Sequence, residues 1–333
     1  MITQPNLTSA PMAAPAAAMT PAASSPAAVP SAPTVQTELT TAALAAAVAE
    51  FRAAKSSPYP KPIYATWGEF VTPKGEDFVP VMLYVPKATG VAATSAVTFS
   101  GVVQDESGKN LVAFEEPAKV LTASKDDFYV DKSLTLPGGK NRGIFGIAEN
   151  GKPVAMVSAE MTTMGALDKD ASAVSPLLIS NNIFPLSEAQ KATDPFAFGG
   201  VKVIPKADKT FHKSDELWYF FELRNPGVVE PAAADTTVAV TGTAPTAAAA
   251  PMPKIQVKIE VEGVDAAGKK HKMAAPPREV DAIEMKGVTG HFGVGSSIPL
   301  ESFATGDYTF TVKVIDTVKK TSYTISDKFK IID

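Results

Sequence analysis

From residue 60 onward the chain is built of short segments in which apolar and polar residues alternate. In KIQVKIEVE every second residue from Ile255 to Val261 is apolar, and the closing stretch GDYTFTVKVID repeats the pattern. Successive side chains of a β-strand point to opposite faces, so each segment predicts a strand with one face on a core and one in water. Many such strands, separated by Gly, Pro, Asn and Asp turns, are typical of an all-β sandwich.

Three landmarks of the β region occur twice in the same order, which predicts an internal duplication. FVTPKGEDFVPVMLYVPKATG lines up with FHKSDELWYFFELRNPG, VTFSGVVQDESGKNL with KIEVEGVDAAGKKHK, and SLTLPGG with SIPLESFATGDY. The middle pair runs into Asp-x-x-Gly-Lys, which places glycine where a hairpin turn needs a positive φ. We therefore predict two tandem immunoglobulin-like antiparallel β-sandwiches, at about residues 60–165 and 174–333, with a linker at 166–173.

Two low-complexity segments flank or interrupt the β region. Residues 1–36 consist largely of Ala, Pro, Ser and Thr, and residues 228–253 have a similar composition, which does not build a core. The first predicts a disordered tether, and the second a disordered insertion between two strands. Between tether and strands, residues 37–57 carry apolar side chains at helical spacing, which predicts one short helix docked on the body through Leu44, Val48 and Phe51.

Charge and composition exclude several classes of function. With 31 basic and 35 acidic residues the net charge is -4, so the basic surplus that nucleic-acid binding needs is missing. The chain has no cysteine, which excludes disulfides, zinc–thiolate sites and thiol nucleophiles. No segment approaches the roughly 20 apolar residues of a membrane span. The N-terminal segment does not resemble a signal peptide, which leaves open an internal protein or one whose signal has been removed.

No grouping of residues predicts a catalytic, cofactor or metal site. The three histidines, His212, His271 and His291, lack metal-ligand spacing and are predicted to lie in solvated turns or loops. GVTGHFGVGSS lacks the strand and helix context of a nucleotide-binding fingerprint and predicts a glycine-rich crossing between strands. Asp168 and Asp170 are too few for a calcium site. We predict a protein without enzymatic activity, although a sandwich enzyme with acids scattered along the sequence stays open.

Two strands are apolar on both faces, which a sheet with one face in water would not be. In ELWYFFELRN the second face carries Trp218 and Phe220, and DFVPVMLYVP shows the same character. Either another part of the chain covers these faces or a partner does. The second alternative predicts an interaction surface of Trp218, Phe220, Val79, Val81 and Trp67.

Two further predictions concern single aromatic residues. A saccharide platform of Trp67, Trp218 and Tyr219 is possible in composition, but Trp218 and Tyr219 point to opposite faces of one strand. Tyr308 follows Leu300 and Gly306 at the entry to a late strand, the pattern of a structural tyrosine corner.

Three segments resemble a known family. SPLLISNNIFPL, FHKSDELWYFFELRNPG and IPLESFATGDYTFTVKVIDTVKKTSYTISDKFKI are similar to the C-terminal β-sandwich region of exported acidobacterial proteins with GWxTD or von Willebrand A-related domains, over about residues 175–333. The GWxTD element itself is missing, TWGEF at 66–70 being the nearest stretch, and so is the metal-binding Asp-x-Ser-x-Ser motif. The resemblance implies a periplasmic or extracellular protein and no catalytic residues.

Together these observations predict an exported structural or protein-interaction module. Its expected partner is another protein or a second copy of the chain. The alternative is a carbohydrate-binding module, with a glycan as the partner.

Overall fold

The described residues form an all-β fold with one α-helix, as the alternation predicts for the strands. The computed structural model describes residues 39–54, 57–71, 77–122, 127–165, 167–168, 171–187, 197–198, 201–229, 252–285 and 289–333. The predicted tether and most of the predicted insertion lie outside these residues, as do three residues of the predicted linker. Within the described ranges, no helix has the length and apolar character that crossing a bilayer requires.

The first sandwich consists of two sheets that enclose one core. Its strands are β1 (Tyr64–Trp67), β2 (Phe70–Val71), β3 (Asp77–Val85), β4 (Val97–Asp105), β5 (Asn110–Pro117), β6 (Val120–Thr122), β7 (Phe128–Leu134), β8 (Gly139–Glu149) and β9 (Lys152–Thr163), with a 3-10 turn at Lys87–Thr89. Sheet A has the order β1-β3-β7-β6, with β2 also paired to β3, and sheet B has the order β5-β4-β8-β9. Every second residue of β3 from Val79 to Val85 points into the core, where Phe99 and Phe145 meet it.

The second sandwich follows the same plan. Its part of the chain contains β10 (Ala173–Val174), β11 (Leu178–Ser180), β12 (Asn182–Pro185), β13 (Ala197–Phe198), β14 (Val201–Ile204), β15 (Thr210–His212), β16 (Glu216–Arg224), β17 (Val228–Val229), β18 (Met252–Pro253), β19 (Ile255–Asp265), β20 (Lys270–Ala274), β21 (Arg278–Val280), β22 (Ile283–Glu284), β23 (His291–Pro299), β24 (Gly306–Asp316) and β25 (Thr321–Ile332).

Sheets C and D form this sandwich. Sheet C has the order β10-β16-β23-β22, with β11 also on β16, and sheet D has the order β15-β25-β24-β19-β20, with β21 also on β19. Strands β12, β14 and β13 form a separate three-stranded sheet, here called the middle sheet. The inward residues of KIQVKIEVE are all buried, as their alternation predicts.

The two sandwiches share strand order and turn geometry. Read from the edge, β1-β3-β7-β6 of sheet A matches β10-β16-β23-β22 of sheet C, and β5-β4-β8-β9 of sheet B matches β20-β19-β24-β25 of sheet D. In the two Asp-x-x-Gly-Lys turns, Gly108 and Gly268 have φ of 83° and 81°. Asp105 and Asp265 each accept the N–H of the lysine four residues on, at 3.0 and 2.8 Å. The landmarks aligned by sequence therefore occupy equivalent places.

Helix α1 (Ala42–Ala53) docks on the outer face of sheet B. Its buried residues are Leu44, Ala47 and Val48, with Phe51 half-buried, so the predicted docking stripe is confirmed. The helix is shorter than the predicted 37–57. Thr41 is its N-cap, and the Glu115 carboxylate of β5 accepts hydrogen bonds from the Thr41 N–H at 2.9 Å and from the Thr41 hydroxyl. A carboxylate at this position satisfies the Thr41 N–H and favours the helix start at Ala42.

One row of side chains explains why, in the described part of the chain, a helix covers sheet B and not sheet D. Cross-strand neighbours on its outer face are the buried apolar residues Ala113, Val102 and Ile144. Because the two Asp-x-x-Gly-Lys turns align, the matching row of sheet D is Lys272, Glu262 and Thr309. That row is polar, and Lys272 pairs with Glu260 and Glu262. An apolar row needs a cover, whereas a charged row is stable in water.

Candidate functional site at the junction of the two sandwiches

Strands β3 and β16, which are apolar on both faces, pack their outer faces into one shared buried cluster. Sheet A contributes Met82 and Tyr129, and sheet C contributes Phe220 and Leu178. The middle sheet closes the cluster with Val203 and Ile204. Gly295 lies opposite Phe220, where a Cβ atom would stand 2.6 Å from the Phe220 ring. The chain itself therefore covers both faces, and the alternative of intrachain cover is correct.

The five residues predicted as an interaction surface do not form an exposed surface on this chain. Val79 and Val81 lie in the core of the first sandwich, against which half-buried Trp67 packs. Phe220 is buried in the junction, with Trp218 stacked on it at 6.4 Å between ring centroids. The sequence assigned Val79 and Val81 to the outer face because β3 is apolar on both sides. The register puts Met82 and Tyr84 there instead.

The predicted aromatic platform is also absent from the surface. Tyr219 is fully buried in the second core, whereas Trp67 and Trp218 belong to two different clusters. Tyr308, by contrast, forms the predicted corner, because its hydroxyl donates to the Ala304 carbonyl at 2.9 Å. Burial, and next the Asp265 carboxylate, raise the pKa of Tyr308.

A row of three tyrosines crosses sheet A at the edge of the junction. Tyr64 on β1 lies opposite Tyr84 on β3, which lies opposite Tyr129 on β7. The ring centroids are 6.1 Å apart for the first pair and 5.0 Å for the second. Tyr129 is buried and Tyr64 is 39% exposed, so this tyrosine row runs from the junction to solvent.

Charged groups from both sandwiches surround the middle of the tyrosine row. Lys206, which follows the middle sheet, lies 5.8 Å from the centroid of the Tyr84 ring and 3.4 Å from an Asp208 carboxylate oxygen. Asp127, which precedes β7, hydrogen-bonds the Tyr84 side chain. Burial, and next the Asp127 and Asp208 charges, raise the pKa of Tyr84 to about 12. Burial also raises the pKa of Tyr129, so these phenols stay neutral over the physiological range.

A buried ion pair continues the outer face of β16 beyond Phe220. Arg224 Nε lies 3.2 Å from Glu222 Oε1, and both side chains are almost fully buried. The same Glu222 oxygen lies 2.6 Å from His291 Nδ1. The backbone of Glu222 makes two hydrogen bonds with Ser175. Its N–H donates to Ser175 Oγ at 2.9 Å, and its carbonyl accepts the Ser175 N–H at 2.9 Å. This cluster ties the segment that enters the second sandwich to sheet C.

The other end of the linker is fixed to the first sandwich. Glu69, fully buried, accepts the N–H groups of Met164 and Gly165 at 2.7 and 2.8 Å. Farther along, Ser172 Oγ donates to the Asn225 carbonyl at 2.6 Å. The described linker residues are therefore held at both ends, which favours a fixed relation between the sandwiches.

The histidines have structural partners. His212 Nδ1 lies 2.7 Å from the Asp333 carbonyl, and His271 Nε2 lies 2.7 Å from Asp265 Oδ2. His291 opens strand β23 and is mostly buried, so the prediction of a solvated loop around it is wrong: from His291 onward the glycine-rich stretch is a strand. Hydrogen bonding to His271 lowers the pKa of Asp265. In the described residues, no three His, Asp or Glu side chains converge on a metal position; Asp170 lies outside them.

Sequence reasoning missed the tyrosine row and the buried ion pair. The only signal for the row was the recurrence of Tyr on separate strands, which acquires meaning once the register is known. Neither a protein-family model nor a curated protein matches this chain.

Proposed function

We propose that the chain is a non-enzymatic structural or protein-interaction module, exported to the periplasm or outside the cell. It consists of two duplicated immunoglobulin-like sandwiches that act as one unit, with residues 1–36 as a tether. The observation that carries the proposal is the burial of both aromatic second faces against each other and the middle sheet. The shared strand order supports the duplication, and the resemblance over about residues 175–333 supports export.

Burial of the second faces changes where a partner can bind. Met82, Tyr129 and Phe220 are used to join the sandwiches, so they are not open to a second copy of the chain. The expected particle is a monomer whose outer surfaces meet a foreign partner. The contacts at the two ends of the linker favour one arrangement of those surfaces, which would reduce the entropy lost on binding.

Solution scattering of the full chain tests the two-sandwich unit. We expect a monomer over a wide concentration range and one cooperative unfolding transition. Phe220→Ala should open the junction and enlarge the particle, because it removes a buried ring between the sandwiches. Phe184→Ala, at a 51% exposed ring on the middle sheet, is the matched control and should change neither property. A concentration-dependent oligomer, or a Phe220→Ala particle identical to wild type, would contradict the proposal.

Export and lack of catalysis need separate tests. Fractionation of the native host should place the chain in the periplasmic or extracellular fraction, and in-cell cross-linking should capture a defined partner there. A purely cytoplasmic chain contradicts the export part. Turnover by the purified protein in a panel of hydrolase substrates, abolished by a single carboxylate substitution, contradicts the non-enzymatic part.

A further inference from the structure

Helix α1 covers an apolar surface on the outer face of sheet B, here called the α1-binding face, which is formed by Val102, Ala113, Ile144 and Met156. The backbone hydrogen bonds of sheet B run between its own strands, so the sheet does not need α1 for its pairing. Sheet D has the same strand order with a polar row in place of this surface. A sandwich of this plan therefore forms without a helix on this sheet.

The packing that holds α1 on the sheet is small for its length. Three side chains, Leu44, Ala47 and Val48, are buried, whereas 12 residues are ordered as a helix at a cost in conformational entropy. A helix of this length is marginal in water by itself. Elements with few buried contacts open at a lower free energy than core strands do. We therefore expect α1 to leave sheet B while both sandwiches stay folded.

Polar contacts lie at both ends of α1, and both are on β5. The Thr41 N–H donates to the Glu115 carboxylate at 2.9 Å, and Arg52 Nη2 lies 3.5 Å from Asn110 Oδ1. Along a helix, Thr41 and Arg52 are about 17 Å apart, and along a strand Asn110 and Glu115 are also about 17 Å apart. The face therefore fits a helix of about three turns whose N-terminus meets the Glu115 carboxylate.

One contact disfavours α1 itself. Burial, and next the positive charge of Arg142 on β8, lower the pKa of Arg52, so like charges meet at the last turn of the helix. Arg142 Nε also lies 3.8 Å from Glu160 Oε1, but these side chains are 49% and 81% exposed, which makes that pair weak. A helix with a carboxylate at the position of Arg52 would complement Arg142 better than α1 does.

We propose that the α1-binding face is a docking site for an amphipathic helix of a partner protein, and that α1 occupies the site until the partner displaces it. The partner helix presents small or aliphatic side chains at the spacing of Leu44, Ala47 and Val48 and an acidic residue in its last turn. Recognition of a helix in a groove uses such i, i+3 and i+4 anchors, and the flexible Met156 side chain adapts to different anchors. A second copy of this chain would bring the same arginine to Arg142, which favours a foreign helix.

The inference deepens the proposed interaction role by naming a surface and a class of partner, and it rests on that role. Because α1 belongs to the same chain as its binding face, it competes with a partner at a high effective concentration. Wild type should therefore bind a partner helix weakly, and release of α1 should strengthen the binding. Scattering and unfolding of the joined sandwiches do not involve this face, so a failure of helix binding is distinguishable from a failure of the two-sandwich unit.

Fluorescence anisotropy of a labelled peptide tests the site. The probe is a synthetic peptide of residues 39–54 that carries Arg52→Glu, titrated with the full chain. Leu44→Gln with Val48→Gln in the full chain gives the released chain, which should bind the probe about tenfold more tightly than wild type does. The matched control, Ala45→Gln with Ala49→Gln, places the same residue type on the exposed face of α1 and should bind as wild type.

A charge exchange ties the binding to the α1-binding face. In the released chain, Arg142→Glu should weaken binding of the Arg52→Glu peptide and strengthen binding of the parent peptide, each by about threefold. All chains are first checked for cooperative unfolding of the sandwiches by circular dichroism.

Three results would overturn the inference. The first is a released chain that binds the Arg52→Glu peptide no better than the control chain does. The second is a peptide preference that Arg142→Glu leaves unchanged. The third is a parent peptide that binds the released chain as tightly as the Arg52→Glu peptide, which would make a second copy of the chain the occupant.

Discussion

Two tyrosines of the second sandwich should respond in opposite directions to loss of a hydroxyl. Tyr308 is buried and its hydroxyl donates to the Ala304 carbonyl at 2.9 Å. A neutral hydrogen bond of this kind contributes about 1 kcal/mol, and the half-buried Ala304 carbonyl regains some of it from water. Tyr219 is fully buried and packs against Phe310 at 5.2 Å, but its hydroxyl makes no hydrogen bond within the described residues. Burial of such a hydroxyl costs about 1–3 kcal/mol.

Tyr308→Phe should therefore lower the free energy of unfolding by about 1 kcal/mol, and Tyr219→Phe should raise it by a similar amount. For units of this size, 1 kcal/mol corresponds to roughly 2–4 °C in Tm. Urea and thermal unfolding followed by circular dichroism measure both effects. The two substitutions change the unfolded chain equally, so their difference reports the folded state alone. If Tyr219→Phe destabilises the protein as much as Tyr308→Phe, the Tyr219 hydroxyl has a partner and the reasoning fails.

Three further outcomes follow from the geometry. Glu115→Gln should cost about 1 kcal/mol, because a neutral amide accepts the Thr41 N–H at the start of α1 less strongly than a carboxylate does. Native-state hydrogen exchange of α1 measures the effect, and unchanged protection would contradict it. Tyr84 should titrate near pH 12 in 295 nm absorbance differences between wild type and Tyr84→Phe. Since its folded pKa is raised, the stability it confers is present below pH 10, the ordinary tyrosine value, and lost as the pH rises towards 12; a midpoint at pH 10 would refute this. Gly108→Ala and Gly268→Ala should each lower the free energy of unfolding by about 1 kcal/mol, and by equal amounts, because both glycines have positive φ and open space around the missing Cβ. Clearly unequal losses of stability in urea unfolding would count against equivalent turns.

Local signals predicted much of this fold. Alternation in KIQVKIEVE identified a strand and its buried face, and the Asp-x-x-Gly-Lys spacing identified two hairpin turns whose geometry agrees closely. Both signals depend on a few neighbouring residues. They can be recognised without knowledge of the tertiary structure, because side-chain alternation and turn conformation are local properties.

The junction and the tyrosine row could not be predicted in this way. β3 is apolar on both faces, so alternation does not tell which of Val81 and Met82 faces the core. The pairing of β3 with β1 and β7 decides it. Tyr64, Tyr84 and Tyr129 are similarly dispersed along 66 residues and become neighbours through register. The burial of Glu222 could not be predicted either, because a charged residue near the end of a strand is ordinarily exposed to solvent.

The position of α1 determines how mechanical load would enter the molecule. Among the described elements, a pull from the N-terminal side reaches the helix before any strand, since α1 precedes β1 in the chain. Its 12 residues span about 18 Å as a helix and about 40 Å when drawn out. Peeling the helix from the Val102 and Ile144 row would thus lengthen the chain by about 20 Å while the hydrogen bonds of both sandwiches stay intact. Helix α1 is therefore the first described element that such a pull would displace.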